Sequence, residues 1–447
     1  MAGHKNHCCL VYDYGLFVEL AVTLAKDFGR VIYYCPWQDG YPSSDKKMIG
    51  IGLKGVERVD ELWPYLDEVD LFVFPDVYEC GLQQHLRSLG KRVFGCFEGA
   101  ELELDRVKSK EMSEELGIDI GPYAVLNGID ALRSHLKKND EQWVKISATR
   151  GDMETWRAVN YEMAEQKLNQ LAAKLGAKAK IMEFIVEKAI EPAIEVGYDG
   201  YTIDGKFAKG AIVGIEVKDK SYVGKAVRYQ SLPQTVRSVN ENLSPALRRY
   251  KYRGLLSTEI RVTDDGKAYL IDPCARAGSP PNEVYQMMIG NLADIMWEGS
   301  EGILIEPEYE AKYGAELLIT SEEAKENWLP VSFPAQYRDN VKLRNLAIIE
   351  GQHYYIPDQS GCSAIGAVVA MADTAEAAMA ECRKIAESLE GEGIDVAADS
   401  LDKAYADLKQ VLKDSDKPKS PKQRQMEELH ARGRISDKQL AKRMETA

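Results

Sequence analysis

The 447-residue sequence predicts a protein of mixed α/β and α+β class, with a doubly wound parallel sheet first, antiparallel strands in the middle and a small C-terminal domain. Three observations predict it. Apolar strand-like runs alternate with helical spacing through the first hundred or so residues. Asp264-Asp265-Gly266 is a hairpin turn between two apolar runs. Short strands followed by one long helical stretch close the chain.

Residues 8–12 (CCLVY), 30–34 (RVIYY), 69–74 (VDLFVF) and 92–94 read as strands, with helical spacing at 18–28 and 81–89. Ligands of such sheets sit beyond the carboxyl ends of the strands, which here carry Asp13-Tyr14-Gly15 and Asp76-Val77-Tyr78. Residues 99–117 are charged and helical, and 118–122 turn into an extended piece. Strands are expected at 143–146 (WVKI) and 179–186, with a helix at 166–175 between them. Residues 194–198, 211–217 and 256–262 suit an antiparallel sheet, and the hairpin leads into 268–272. The last long helix is expected at 374–389. The domain limits implied are 1–98 for the N-terminal α/β domain and 99–330 for the central domain, with a lid subdomain at about 118–186. Residues 331–413 form the C-terminal α+β domain, and 414–447 a basic linker and helical tail.

The formal net charge of −14 argues against non-specific nucleic-acid binding by the chain as a whole. Residues 417–447 hold nine Lys or Arg against four Asp or Glu, so the tail is locally basic. It reads as a solvated or partner-bound helix, or as a nucleic-acid contact. The eight cysteines include no C-x-x-C pair, which points to free thiols in a reducing compartment. The apolar run after the N-terminus is too short for a signal-peptide core, and no stretch approaches the roughly 18 apolar residues of a membrane span. A cytoplasmic protein is expected.

Phosphoanhydride chemistry needs cations for the polyphosphate, carboxylates for Mg²⁺ and a cleft that excludes water. Glu259 and Asp272 lie on the two strands joined by the hairpin turn, so both acids can face one side and hold Mg²⁺ between phosphates. Asp272 opens IDPCARAGSPP, where Arg276 offers a fork of donors and Gly278 allows close backbone approach. Lys110 sits in a charged helix and Lys145 in the apolar strand WVKI. A lysine there is costly to bury unpaired, and an edge strand with the head in water is the alternative. Residues 182–187 (MEFIVE) suit an adenine slot, with apolar walls and a carboxylate at Glu183.

In this order the pieces resemble the ATP-grasp superfamily, and within it phosphoribosylamine–glycine ligase, over roughly residues 8–412. Further similar segments are Val93-Phe94-Gly95, residues 104–110 and the Ala364-to-Ala370 strand before the Thr374 helix. The resemblance implies a preATP-grasp domain followed by an ATP-grasp domain, and an ADP-forming carboxylate–amine ligase working through an acyl phosphate with ATP and Mg²⁺, or Mn²⁺ in its place. Lys110 and Lys145 would bind ATP phosphates, and Glu183 with the backbone of Phe184 and Ile185 would hold adenine. Glu187 would bind ribose, Glu195 and Lys220 would line the phosphate region, and Glu259 and Asp272 would ligate the metal. Arg276 would bind substrate phosphate or acyl-phosphate oxygens.

Three departures qualify this. The Glu/Asn metal pair of the family reads Asp272/Cys274 here, and a thiol is a poor Mg²⁺ ligand. The glycine-rich lid reads Ser147-Ala148-Thr149-Arg150-Gly151-Asp152, with Arg150 as the substitute lid cation. The ribose-phosphate loop Gly-Gly-Arg-Glu-His reads Gly15-Leu16-Phe17-Val18-Glu19, so phosphoribosylamine is not the expected acceptor. The substrates are then a small-molecule carboxylate and amine, with a nucleotide or nucleic-acid base as an alternative acceptor. A non-catalytic ATP-binding relative is the other reading, and a homodimer is compatible with either. No G-x-G-x-x-G follows the first strand, which sets a dehydrogenase aside.

Overall fold

The computed structural model describes residues 3–36, 48–146, 155–357 and 362–415. Arg150, the rest of the 147–154 segment and the basic tail lie outside them.

Five parallel strands form the first sheet: β1 (Cys8–Tyr12), β2 (Arg30–Tyr34), β3 (Val56–Val59), β4 (Leu71–Val73) and β5 (Arg92–Phe94), in the order β3-β2-β1-β4-β5. Every residue of β1 is buried, as expected of a central parallel strand covered on both faces. The strand order reverses at the β1/β4 junction, which sets a crevice beyond Asp13 and Asp76. Helices α1 (Val18–Leu24) and α2 (Cys80–Ser88) belong to this sheet.

Two helices follow, α3 (Glu101–Leu104) and α4 (Arg106–Glu115). Asp105 caps α4 by accepting from the Lys108 N–H at 3.0 Å. A four-stranded sheet comes next, ordered β6-β9-β7-β8: β6 (Tyr123–Asn127), β7 (Gln142–Lys145), β8 (Thr155–Ala158) and β9 (Glu183–Lys188). Helices α5 (Ile129–Leu136) and α6 (Tyr161–Leu175) cover one of its faces, over a separate core that includes Leu132, Val144, Leu168, Phe184 and Val186.

The large sheet is antiparallel. It contains β10 (Ala193–Ile203), β11 (Lys206–Phe207), β12 (Gly210–Val217), β13 (Ser221–Arg228), β14 (Arg253–Thr263), β15 (Ala268–Cys274) and β16 (Tyr313–Ser321). The strands that follow are β17 (Leu329–Val331), β18 (Val341–Leu343), β19 (Leu346–Ile349), β20 (Gln352–Tyr355), β21 (Ala364–Ala372) and β22 (Ile394–Asp395); of these β18, β21 and β22 join the large sheet, whose main path runs β15-β14-β10-β12-β13-β16-β21-β18. Strands β17, β20 and β19 form a small sheet of their own. Strands from beyond residue 330 thus extend the central sheet. Helices α7 (Gln234–Arg249), α8 (Asn282–Met288), α9 (Leu292–Ser300), α10 (Ala375–Ala386) and α11 (Ser400–Ser415) complete the chain. Among the described residues no helix is long and apolar enough to cross a membrane.

Two backbone contacts lock the first sheet to the large one. The Gly95 N–H donates to the Arg253 carbonyl at 2.7 Å, and the Ala277 N–H donates to the Pro75 carbonyl at 2.9 Å. The segment after Asp272 therefore docks on the crevice at the end of β4. The expected helix at 166–175 begins earlier, at Tyr161, where Asn160 caps it through the Met163 N–H. The expectation at 374–389 corresponds to α10, capped by Thr374.

Candidate functional site

The 106–115 helix is polar by composition, and its buried face is polar too: Arg106, Ser109, Lys110 and Ser113 are all buried. Arg106 and Lys110 stand four residues apart, which stacks them on one face. Two like charges so placed repel, so they need anions opposite. Asp272, at the end of β15, accepts from Arg106 Nη1 at 2.6 Å and from Lys145 Nζ at 3.3 Å. Glu187 on β9 lies 3.0 Å from Lys110 and 3.3 Å from Lys145. Lys145 is therefore not an edge-strand lysine with a wet head. It sits on an inner strand, 3 % exposed, between two carboxylates.

Register explains how the four-stranded sheet delivers these groups. Lys145 pairs with Ile185, and Trp143 with Glu187. Paired residues share a face, so Lys145, Glu183, Ile185 and Glu187 all stand on the face turned away from α5 and α6. Glu183 is exposed, Phe184 points into the core beneath α5 and α6, and Ile185 is buried between Val125 and Lys145 in the ladder. The side chain presented to the cleft beside the charges is Ile185, with half-exposed Val125 opposite it.

Three cations thus face two carboxylates, leaving one excess positive charge beside the cleft lined by Leu102, Ser109, Ile120 and Leu270. The electrostatics follow. Burial would raise the Asp272 carboxyl, but Arg106, Lys145 and Lys110 hold it well below the usual carboxylate range. Burial pulls Lys110 down, with Glu187 opposing it and Lys145 adding to it. Burial would also pull Lys145 down, yet Asp272 and Glu187 keep it above its ordinary value.

The hairpin register pairs Glu259 directly with Asp272. The Cys274 thiol, one pleat on, lies 3.6 Å from Glu259 Oε1. Burial first, then the neighbouring Glu195, Glu216 and Asp272 charges, raise Glu259 to about 8, with Lys218 opposing. Among the described residues no group of three His, Cys, Asp or Glu side chains has the geometry of a metal cage. Mg²⁺ asks for less, since it is bound through one or two carboxylates, waters and substrate phosphates. Glu259 and Asp272 fit that requirement together, while Cys274 adds no oxygen.

The other predicted residues take different places. Glu195 pairs with Arg261 and accepts from its Nε at 3.0 Å. Lys220 is exposed on the β12–β13 turn. The lysine beside the carboxylates is Lys218, 3.8 Å from Glu216 and 59 % exposed. Arg276 donates through Nε to Glu103 Oε1 at 2.8 Å and lies 3.9 Å from Asp76. It faces the crevice of the first sheet rather than the lysine cluster. Arg106 was missed by the sequence reading, although its four-residue spacing from Lys110 marks a common face.

The fold has known counterparts. Phosphoribosylamine–glycine ligase from Thermotoga maritima superposes with a TM-score of 0.65 at 15% identity, over 87% of this chain and 98% of that one. The chain has the ATP-grasp fold. The biotin carboxylase domain of Hydrogenobacter thermophilus 2-oxoglutarate carboxylase, solved with MgADP, ADP and bicarbonate, matches at a TM-score of 0.63 and 14% identity, over 91% and 98% of the two chains. N5-carboxyaminoimidazole synthetase from Staphylococcus aureus, solved with ADP, matches at 0.56 and 9% identity, over 85% and 96%. No protein-family model matches the sequence, and no curated protein matches it. Within this ATP-grasp fold, the cluster at Lys110, Lys145, Glu187 and Asp272 lies where the four-stranded sheet meets the large sheet.

Proposed function

We propose that the chain is an ATP-dependent ligase that joins a carboxylate to an amine through an acyl phosphate, with an acceptor other than phosphoribosylamine. The observation that carries this reading is the convergence of Arg106, Lys110 and Lys145 on Glu187 and Asp272. In this reading the substrate carboxylate attacks the γ-phosphorus of ATP and ADP leaves. The amine nitrogen then attacks the acyl carbon, the C–O bond to phosphate breaks, and the nitrogen gives up its extra protons. Arg106, Lys110 and Lys145 bind the phosphates and offset their charge, which with positioning is most of what phosphoryl transfer asks of a protein.

Glu259 and Asp272 would hold Mg²⁺, or Mn²⁺, which when bound offsets phosphate charge. Ile185 and Val125 supply an apolar wall for adenine, with Glu183 at the open edge of the strand and Glu187 near the ribose. Arg150 remains the proposed lid cation. Arg276, tied to Glu103 and Asp76, would serve the substrate side of the cleft, and Glu195 and Lys220 its rim. Cys8, Cys9, Cys80, Cys96, Cys274 and Cys382 are free thiols, which suits a reducing compartment and supports a cytoplasmic placement.

The test is ADP release from Mg²⁺-ATP with pooled amino acids, other carboxylates and amines. ADP that depends on both an acid and an amine is the expected result. ATP binding without turnover on any pool would leave a nucleotide-binding protein and refute the ligase.

A further inference from the structure

Residues 276–281 join β15 to α8 and lie on the crevice of the first sheet. Arg276 reaches Glu103 and Asp76 there, and the Ala277 N–H donates to the Pro75 carbonyl. The Gly278 N–H donates to the Tyr285 hydroxyl at 2.9 Å, and the Asn282 N–H to the Gly278 carbonyl at 2.9 Å. One further tie comes from far along the chain. Arg344, just after β18, donates through Nη2 to Ser279 Oγ at 2.7 Å.

Behind Arg344 lie two acids that its single charge cannot satisfy together. Glu283 on α8 is 2 % exposed, and its Oε1 lies 3.8 Å from Arg344 Nε. Glu316 on β16 is fully buried, and neither of its carboxylate oxygens has a hydrogen-bond partner. Glu283 Oε2 has none either. Around Glu316 stand Tyr222 on β13, Glu216 on β12, Asp199 on β10 and Cys382 on α10, all neutral or acidic. Lys342 on β18 and Glu19 on α1 face Glu283, and Lys342 is engaged chiefly by Glu19. Arg344 is thus the cation set against both acids. A carboxylate buried without a partner keeps its proton instead. Burial first, then the Glu283 charge, raises Glu316 well above the usual carboxylate range, with Arg344 opposing.

We propose that Glu283, Glu316 and Arg344 form a proton-controlled latch on the 276–281 segment. With Glu316 neutral, Arg344 serves Glu283 and holds Ser279. When Glu316 gives its proton to solvent, a second carboxylate competes for the same guanidinium. A charged acceptor outcompetes the Ser279 hydroxyl, so Arg344 turns to the two acids and the segment loosens on the crevice. A carboxyl raised by folding is neutral at low pH and ionises as pH rises, so the latch is closed on the acid side and open on the alkaline side. The placement of Arg276 then depends on pH, whatever reaction the cleft runs.

The experiment is amide hydrogen exchange on the full chain, read by mass spectrometry on peptides covering 275–282 and expressed as protection relative to the unfolded rate at each pH. Ala277, Gly278 and Asn282 carry the bonded amides. Protection in the parent is expected to fall by about tenfold from about pH 6 to about pH 9, the upper limit being where buried glutamates titrate and the size that of one charged hydrogen bond. Glu316→Gln cannot ionise and keeps its protection throughout. Ser279 is half-buried, and Ser279→Ala removes only the hydroxyl. That variant starts at the low level and shows no further step. Melting curves establish that each variant folds, and Ser279→Ala decides the matter should Glu316→Gln not fold. Constant protection in the parent across this range overturns the proposal. So does a fall of equal size in Glu316→Gln or in Ser279→Ala, since the proton or the tie would then lie elsewhere.

Discussion

At the residue scale, charge decides what each side chain can do. Lys145 is shared by Asp272 and Glu187, and each of those acids keeps another cation, Arg106 or Lys110. Lys145→Met should therefore cost no more than about 3 kcal/mol of stability, at the low end for breaking a buried pair. ADP formation should fall by about a hundredfold, the scale of losing one preorganised donor. Urea titration beside turnover checks both, and full activity in a folded variant would remove Lys145 from the phosphate site. Asp13 offers a cleaner electrostatic test. Its Oδ2 accepts from the Gly15 and Phe17 N–H groups and from the Tyr33 hydroxyl, while Oδ1 is buried without a partner. Burial raises its pKa to about 7, with Tyr33 opposing. A carboxyl raised on folding binds its proton more tightly in the native state, so stability is lost as pH rises from about 4 to 7. Asp13→Asn keeps the three bonds and removes the charge. Its melting temperature should exceed the parent's at pH 8 and differ little at pH 4, and an equal shift at both would show that charge is not the cause.

At the element scale, the large sheet has a row of glycines that the sequence hides. Gly197 pairs with Gly214, Gly214 with Gly224 and Gly224 with Gly314. The row lets the Tyr222 ring lie on the sheet and reach Asp199, and a Cβ at Gly214 would stand 1.9 Å from the Tyr222 hydroxyl. Gly214→Ala should therefore expel Tyr222 and cost about 1–3 kcal/mol, as overpacking does. Gly214→Ala combined with Tyr222→Leu should be less destabilised than the two single effects summed, and strict additivity in urea titrations would count against this contact. The glycines lie scattered along the chain and become a row only through register, which local pattern does not carry. Other elements were more legible. Four of the five parallel strands read as apolar runs, whereas β3, with Glu57 and Arg58 inside VERV, did not, and the Asp264-Asp265-Gly266 turn correctly set Glu259 against Asp272. Strand β16 was missed because buried Glu316 interrupts YGAELLITS, and α7 because Pro245 sits inside it.

At the scale of the whole molecule, the candidate site was legible where chemistry is written in residue type and obscure where it depends on docking. Lys110, Lys145 and Asp272 stood out as polar residues in apolar or helical settings, and they meet although 162 positions separate the first from the last. Glu283, Glu316 and Arg344 come from three distant segments whose only common feature is burial, so nothing local announced them. The same holds for the junction between the first sheet and the C-terminal strands. Glu19 in α1 is 3 % exposed and accepts from Arg338 at 3.1 Å and from the Leu343 N–H at 3.3 Å. Burial lowers the nearby Lys342, and Glu19 opposes that shift most strongly. One carboxylate therefore serves two cations and a backbone donor. Replacing it strands both cations, whereas replacing Arg338 leaves Glu19 with Lys342. Glu19→Gln should cost about 3–5 kcal/mol, the range for an uncompensated buried charge, and Arg338→Met should cost less. Equilibrium urea unfolding gives the order directly. A larger loss in Arg338→Met than in Glu19→Gln would mean that the arginine, and not the shared acid, holds the C-terminal strands to the first sheet.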